Sequence, residues 1–445
     1  LTFVWPFLLL VMSFFLVAGC ASEAEPAPTP TPTARSPLVV ETRLTADERE
    51  EIFSTVWQTV KDEYFDPTFG GKDWEAIGES YRKMLATVED DSTFWFDVVN
   101  PMLFELGVSH IGALPAELAS QMDPMVFSAG TLGMDVRLLD GQIVITQVIP
   151  GFPAAEAGLR PGFVIRTVNG RTPEDIAAQS PSTPPNNERN QRANLVVSLR
   201  SQLYGESGNE IEVQYLDQDN QPHRSSLRYA PRSASTCVPI DPSLPPACTE
   251  LEVERLADGV GYLRFSGFLP PVLDPVLRAI DDMGETPGLI IDLRGNPGGV
   301  FPVRKGIAEK LVGQHTLFMR YQRRDGLEEA YLDLVEDAYQ GEIAILVDEL
   351  SASSAEEFAG SLQATGRATV IGSQTPGRCL VAEIWPLAAD AVLIYPYGQS
   401  QTPSGRILED NGVEPDIEIA LDRELLLHGV DSQLKAAIEF LRAGK

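Results

Sequence analysis

The chain has 445 residues, 43% of them hydrophobic, and a formal net charge of −30. That length and apolar fraction give room for about two or three domains with cores of their own, and exclude a disordered or fibrous chain. The acidic balance disfavours nucleic acid and anionic lipid as partners, because both require clustered Lys and Arg.

Residues 1–20, LTFVWPFLLLVMSFFLVAGC, form an apolar run that ends in small residues. This is the pattern of a secretory signal, with an uncleaved membrane anchor as the alternative. Leu16-Val17-Ala18-Gly19-Cys20 resembles the bacterial lipobox, which implies a lipidated Cys20, attachment to the membrane through that lipid, and a place at the cell envelope beyond the cytoplasmic membrane. Residues 21–40 follow as a Pro/Thr-rich linker too poor in apolar side chains to pack. Of the four cysteines, Cys237 and Cys248 bracket a Pro-rich loop and are expected to pair in an oxidising compartment. Cys379 is then the odd thiol. No Cys/His spacing predicts a metal site.

Residues 41–118 carry helical periodicity in three segments, 46–66, 73–88 and 91–107, each opened by Asp or a nearby polar cap. They predict a helical N-terminal domain that ends in Gly107-Val108-Ser109-His110-Ile111-Gly112. Residues 119–232 change to short alternating strands, MDVRLL, QIVITQVI, VIRTVNG, EIEVQYL and SSLRYA, separated by Gly, Pro and Asp turns. Within them Thr131-Leu132-Gly133-Met134 and AAEAGLRPGFVIRTVNG (154–170) resemble a PDZ domain. That resemblance implies that Leu132, Gly133 and Met134 form a loop whose amides hold a peptide carboxylate, the peptide adding as a strand. The polar stretch near 178–192 is read as an insert. Residues 233–445 alternate strands and helices, which predicts an α/β domain with a largely parallel sheet and its site at the carboxyl ends of the strands. The fold expected is therefore multidomain α/β.

Two segments fall at such ends. Leu289–Gly299, LIIDLRGNPGG, is a strand running into a glycine-rich turn, suited to an anion or a developing oxyanion, although glycine is also common there for geometry alone. Ile343–Glu357 runs strand, turn, helix through Ser351-Ala352-Ser353-Ser354; Ser353 with Glu356 also fits a helix capping box.

Together DLRGNPGG, VDELSASSAEE, GRATVIGSQTPGR and LEDNGVEPD resemble, in that order, the C-terminal processing and tricorn-type serine peptidases. The resemblance implies a ClpP/crotonase-like core, no metal and no cofactor, Ser353 as nucleophile, and polypeptides with exposed C-termini as substrates. It implies an oxyanion hole from the amide of Gly299, or its neighbour Gly298, and that of Ser354. The Ser/Lys branch has its lysine where Arg378 stands in Thr375-Pro376-Gly377-Arg378-Cys379. Arginine cannot serve as a general base, so that mechanism is not expected. The tricorn branch instead uses Ser, His, a second Ser and Glu, which match Ser353, His110, Ser109 and Glu409. Arg378 is then free to bind a substrate carboxylate. His110 can also be read as a core histidine, Glu409 competes with Asp410 and Glu414, and Cys379 reads as a packed thiol. The rival to an endopeptidase is a catalytically inactive peptide-binding protein on the same scaffold.

Overall fold

The computed structural model describes residues 44–118, 124–179, 183–232, 237–239, 246–256, 259–284 and 286–443. Cys20, the apolar leader and the 21–40 linker lie outside these residues.

Helix α1 (Ala46–Glu63) starts at a reciprocal cap, in which Thr45 Oγ1 accepts from the Glu48 amide and Glu48 accepts from the Thr45 amide. Its buried Ile52, Phe53, Val56 and Val60 recur at helical spacing. Helix α2 (Trp74–Leu85) and a helical run through Asp91–Thr93, Phe94–Val99 and Asn100–Phe104 complete the region. These helices are not an isolated domain. Their core includes Leu380, Leu393 and Tyr395 from the far end of the chain. Strand β1 (Gly112–Pro115), two residues after His110, pairs antiparallel with a strand at 391–401. That pairing carries the His110 segment across to the C-terminal half.

The middle of the chain is a five-stranded antiparallel sheet of β2 (Met134–Leu139), β3 (Gln142–Val148), β4 (Val164–Val168), β5 (Glu210–Leu216) and β6 (Pro222–Arg228), paired in that order with β2 at one edge. Where the sequence suggested only a polar insert, helix α3 (Glu188–Arg200) forms behind an Asn187 cap. Ala193, Val196 and Leu199 turn one face of it into the core of this unit. Its polar residues face other parts of the protein, which is why hydropathy hides it.

The last unit has a six-stranded sheet in the order β7 (Leu251–Arg255), β8 (Gly261–Phe265), β9 (Gly288–Asp292), β12 (Glu342–Val347), β13 (Thr369–Gly372) and β16 (Ile417–Glu418). All neighbours except β7 and β8 run parallel. Helices α4 (Pro270–Asp282), α5 (Phe301–Val312) and α6 (Ser354–Ala364) supply one core, and α7 (Ser432–Ala443) packs with Ile290, Leu346 and Ile371 in another. With helices over both faces, β9 is buried at every residue, so it reads as a continuous apolar run rather than an alternating one. A second sheet joins β1, β15 (Ala391–Gln401), β10 (Thr316–Arg323) and β11 (Gly326–Leu332), with β14 (Leu380–Leu387) also on β15. Cys237 and Cys248 form a disulfide, and Cys379 is free and buried.

Candidate active site

The site is built where β9 and β12 end side by side. After β9, the Gly295 amide donates to Asp348 Oδ1 at 2.9 Å, and after β12 the Ala352 amide donates to Asn296 O at 3.0 Å. Ser351 Oγ donates to Leu293 O at 2.8 Å. These bonds zip the two turns together and leave Ser353 as the cap of α6. Its backbone lies at φ 53°, ψ −120°, a conformation that costs a non-glycine residue about 1–3 kcal/mol and persists only when its surroundings enforce it. The enforcement is visible: the Ser353 amide is held both by Arg378 O at 2.8 Å and by Glu356 Oε2 at 3.1 Å.

His110 arrives from the opposite end of the sequence, also at positive φ, 56°. Its Nε2 lies 3.2 Å from Ser353 Oγ and its Nδ1 2.7 Å from Ser109 Oγ. Ser109 Oγ in turn donates to Glu409 Oε2 at 2.9 Å, while the Ser109 and Cys379 amides donate to the same carboxylate at 2.8 and 2.7 Å. The structure thus brings Ser353, His110, Ser109 and Glu409 into one hydrogen-bonded chain. Asp410 and Glu414 are not in it: Asp410 accepts from Asn187, and Glu414 pairs with Arg406.

The carboxylate also sets the histidine tautomer. A carboxylate can only accept, so the single Ser109 hydroxyl proton points to Glu409, and the Ser109 oxygen is left to accept from Nδ1–H. Nε2 then carries a lone pair toward Ser353, as a general base must. Burial, aided by the Arg378 charge, lowers the His110 pKa to about 4. Burial raises Glu409 to about 7, against the hydrogen bonds that favour its charge.

The glycine turn resolves the two candidate oxyanion donors. Gly298 N–H is already spent on Asn296 Oδ1 at 2.9 Å, so Gly298 is corrected from donor to spacer. A Cβ on Gly298 would stand 2.8 Å from both Ser353 Cβ and the Ser354 nitrogen. Among the described residues, the amides of Gly299 and Ser354 have no backbone or side-chain acceptor. Ser354 is the first residue of α6, where unsatisfied N–H groups and the helix dipole favour negative charge.

Two further expectations need correction. The Leu132 amide donates to Leu203 O at 3.0 Å and the Gly133 amide to Thr131 Oγ1 at 3.1 Å, and Met134 is buried in β2 opposite Val148. The Leu132 and Gly133 amides are therefore not open to a peptide carboxylate. Arg378 gives Nε to Asn190 Oδ1 and Nη2 to Asn194 Oδ1 and Asn190 O. The paired donors needed for a bidentate carboxylate grip are consumed by α3.

Sequence reasoning missed the reach of Glu356. Besides Ser353, its buried carboxylate accepts from Thr375 Oγ1, from the Gly377 amide at 2.7 Å and from the Arg378 amide at 2.9 Å. The capping-box spacing announced the pair with Ser353, but nothing local announced the 375–378 loop. Cys379 is packed beneath the site with its thiol pushed well up by burial, which leaves it protonated and unreactive. Among the described residues, no group of three or more His, Cys, Asp or Glu is arranged to hold a metal ion.

Residues 259–419 match the model of peptidase family S41, and residues 45–104 match the tricorn protease C1 domain. A carboxyl-terminal-processing protease of Synechocystis sp. is 24% identical over 409 residues, spanning 90% of this chain and 88% of that one. The chloroplastic C-terminal processing peptidase of Tetradesmus obliquus is 25% identical over 389 residues, 84% of this chain and 78% of that one. In fold, the chain is similar to the photosystem II D1 C-terminal processing protease, with a TM-score of 0.56 at 23% identity, covering 86% of this chain and 95% of that one. Residues 259–419 thus form a peptidase family S41 domain, preceded at 45–104 by a tricorn protease C1 domain, and the chain is a serine-type peptidase similar to the carboxyl-terminal-processing proteases.

Proposed function

We propose that the chain is an extracytoplasmic endopeptidase that cleaves polypeptides by acyl transfer at Ser353, with His110 as general base. The observation that carries this is the unbroken path from Glu409 through Ser109 and His110 to Ser353 at a helix N-terminus. Ser353 Oγ attacks the scissile carbonyl carbon while its proton passes to His110 Nε2. The oxyanion is met by the Gly299 and Ser354 amides, each such donor contributing about 3–4 kcal/mol to transition-state stabilisation. Collapse returns the proton to the departing amine and leaves acyl-Ser353, which water hydrolyses by the same proton route.

The names of the relatives point to C-terminal segments as substrates. We read the β2–β6 unit as a PDZ domain and the last unit as a ClpP/crotonase-like core. In support, β2 is an edge strand with α3 packed near it, a setting in which an extended polypeptide can add as a strand. A lipid at Cys20 would tether the protein to the envelope, and the Cys237–Cys248 disulfide is consistent with an oxidising compartment.

A serine-directed fluorophosphonate is expected to label Ser353 in the full chain, and Ser353→Ala to abolish hydrolysis of a C-terminally tailed peptide. Unlabelled protein, with hydrolysis unchanged in Ser353→Ala, defeats the proposal.

A further inference from the structure

Arg378 occupies the place at which one branch of this group carries a catalytic lysine, and the chemistry of Ser353 and His110 leaves it no proton to move. Its position is nevertheless unusual. The backbone carbonyl of Arg378 accepts the Ser353 amide at 2.8 Å, and its own amide donates to Glu356 at 2.9 Å. Its guanidinium extends the other way, onto Asn190 and Asn194 of α3. One residue therefore touches the nucleophile turn with its main chain and the middle unit with its side chain.

The grip is reciprocated. Asn190, which has no exposed surface, donates Nδ2 to Pro376 O at 3.1 Å, two residues before Arg378. Arg189, one residue earlier on α3, donates to Asn411 O at 3.1 Å and to Asp410 O, beside Glu409. At the far end of the helix, Arg200 donates to Gly295 O at 3.3 Å, in the turn after β9. Helix α3 thus holds three of the segments around the site, 376–378, 410–411 and the turn after β9, without placing a side chain on the reacting atoms.

We propose that Arg378 is a positioning residue for acyl transfer: tied to α3 through Asn190 and Asn194, it fixes the strained Ser353 turn from outside the core. This rests on the reading of Ser353 as nucleophile. The geometry favours the role because the Ser353 turn lies at positive φ and needs external restraint. A guanidinium presents fixed donors along a planar fork, so it holds the two asparagines in one set geometry, whereas an ammonium is a point charge on a flexible stem.

The test compares Arg378→Ala, Arg378→Lys and Asn194→Ala in the full chain, by steady-state kinetics on a tailed peptide, by the rate of fluorophosphonate labelling, and by amide hydrogen exchange. Loss of positioning lowers kcat and the labelling rate together, by about 10²-fold for Arg378→Ala, with KM little changed. Asn194→Ala moves the same quantities less, and Arg378→Lys recovers part of the loss. Exchange at α3 and at the Ser353 turn accelerates together in Arg378→Ala. A raised KM with unchanged kcat makes Arg378 a substrate ligand and overturns the proposal. So does Arg378→Lys exceeding the native enzyme, the signature of a lysine entering proton transfer. If the native chain neither turns over nor labels, the Ser353 reading fails by itself. The exchange experiment still decides whether Arg378 couples the two segments, and α3 protection unaffected by Arg378→Ala sinks that coupling.

Discussion

Ser109 has one hydroxyl proton, and where it goes decides which nitrogen of His110 carries the ring proton and whether Nε2, which faces Ser353, keeps its lone pair. Glu409→Gln replaces an acceptor with an amide that meets three N–H or O–H donors, so the hydroxyl turns and Nε2 loses its lone pair. We expect kcat to fall by about 10⁴-fold with labelling of Ser353 slowed alike, the loss that follows when a catalytic histidine is held in the wrong tautomer. The same logic sets the pH profile. His110, with its pKa lowered to about 4, is neutral throughout the neutral range and does not limit activity there. Glu409, raised to about 7 by burial, must be ionised to accept the Ser109 proton. Activity should therefore rise with pH through about 7, and a profile that rises near 4 instead would assign the limb to His110. The two groups act oppositely on the fold. A carboxyl raised above its ordinary 4.5 keeps a proton that the unfolded chain has released, so stability declines as pH climbs toward 7. His110, depressed below 6.5, contributes stability that is present above 6.5 and lost as pH falls toward 4.

At the scale of elements, the site depends on two turns approaching closely, and glycine is what permits it. Gly298→Ala, at φ 104°, sets a methyl 2.8 Å from Ser353 Cβ, where no real contact is that short. The expected outcome is a folded protein with turnover lost and labelling slowed, checked by circular dichroism beside kinetics; full activity in Gly298→Ala would remove the close approach from the account. The strands bearing these turns were legible in the sequence because parallel strands covered on both faces are uninterrupted apolar runs. Ser353, His110, Ser109 and Glu409 could be named from motif order, and the exclusion of Arg378 from proton transfer followed from its pKa. What stayed hidden were destinations. The polar residues 188–194 look solvated, yet Asn190 is buried against Pro376 and Arg378. The amides of Leu132 and Gly133 look available in a glycine-rich loop, yet each is satisfied within the fold. Sequence tells which groups can donate; only packing tells to what.

The whole molecule is joined across its middle by buried charge. Arg137 on β2 bonds Asp348 at 2.5 Å and Asp135 at 2.9 Å, and Arg200 of α3 bonds Asp135 at 2.7 Å. Asp348 also anchors the Gly295 and Leu350 amides, so Arg137 reaches the scaffold of the nucleophile turn. Arg137→Ala would leave two buried carboxylates short of a partner, a loss on the order of 3–5 kcal/mol measurable by denaturant unfolding. Burial opposes the charge of Asp135, but Arg137, Arg200 and Arg264 outweigh it and hold the carboxyl well below its ordinary 3.8. The stability it contributes is therefore present above 3.8 and is lost only as pH falls through that depressed value.

Ser353 and His110 are also two of the nine non-glycine residues, among those described, whose backbones lie at positive φ. Glycine would occupy either position with less strain than the side chain now there. The polypeptide would be more comfortable without its proposed chemistry, and the two residues to which that chemistry is assigned are among those its architecture must work to keep.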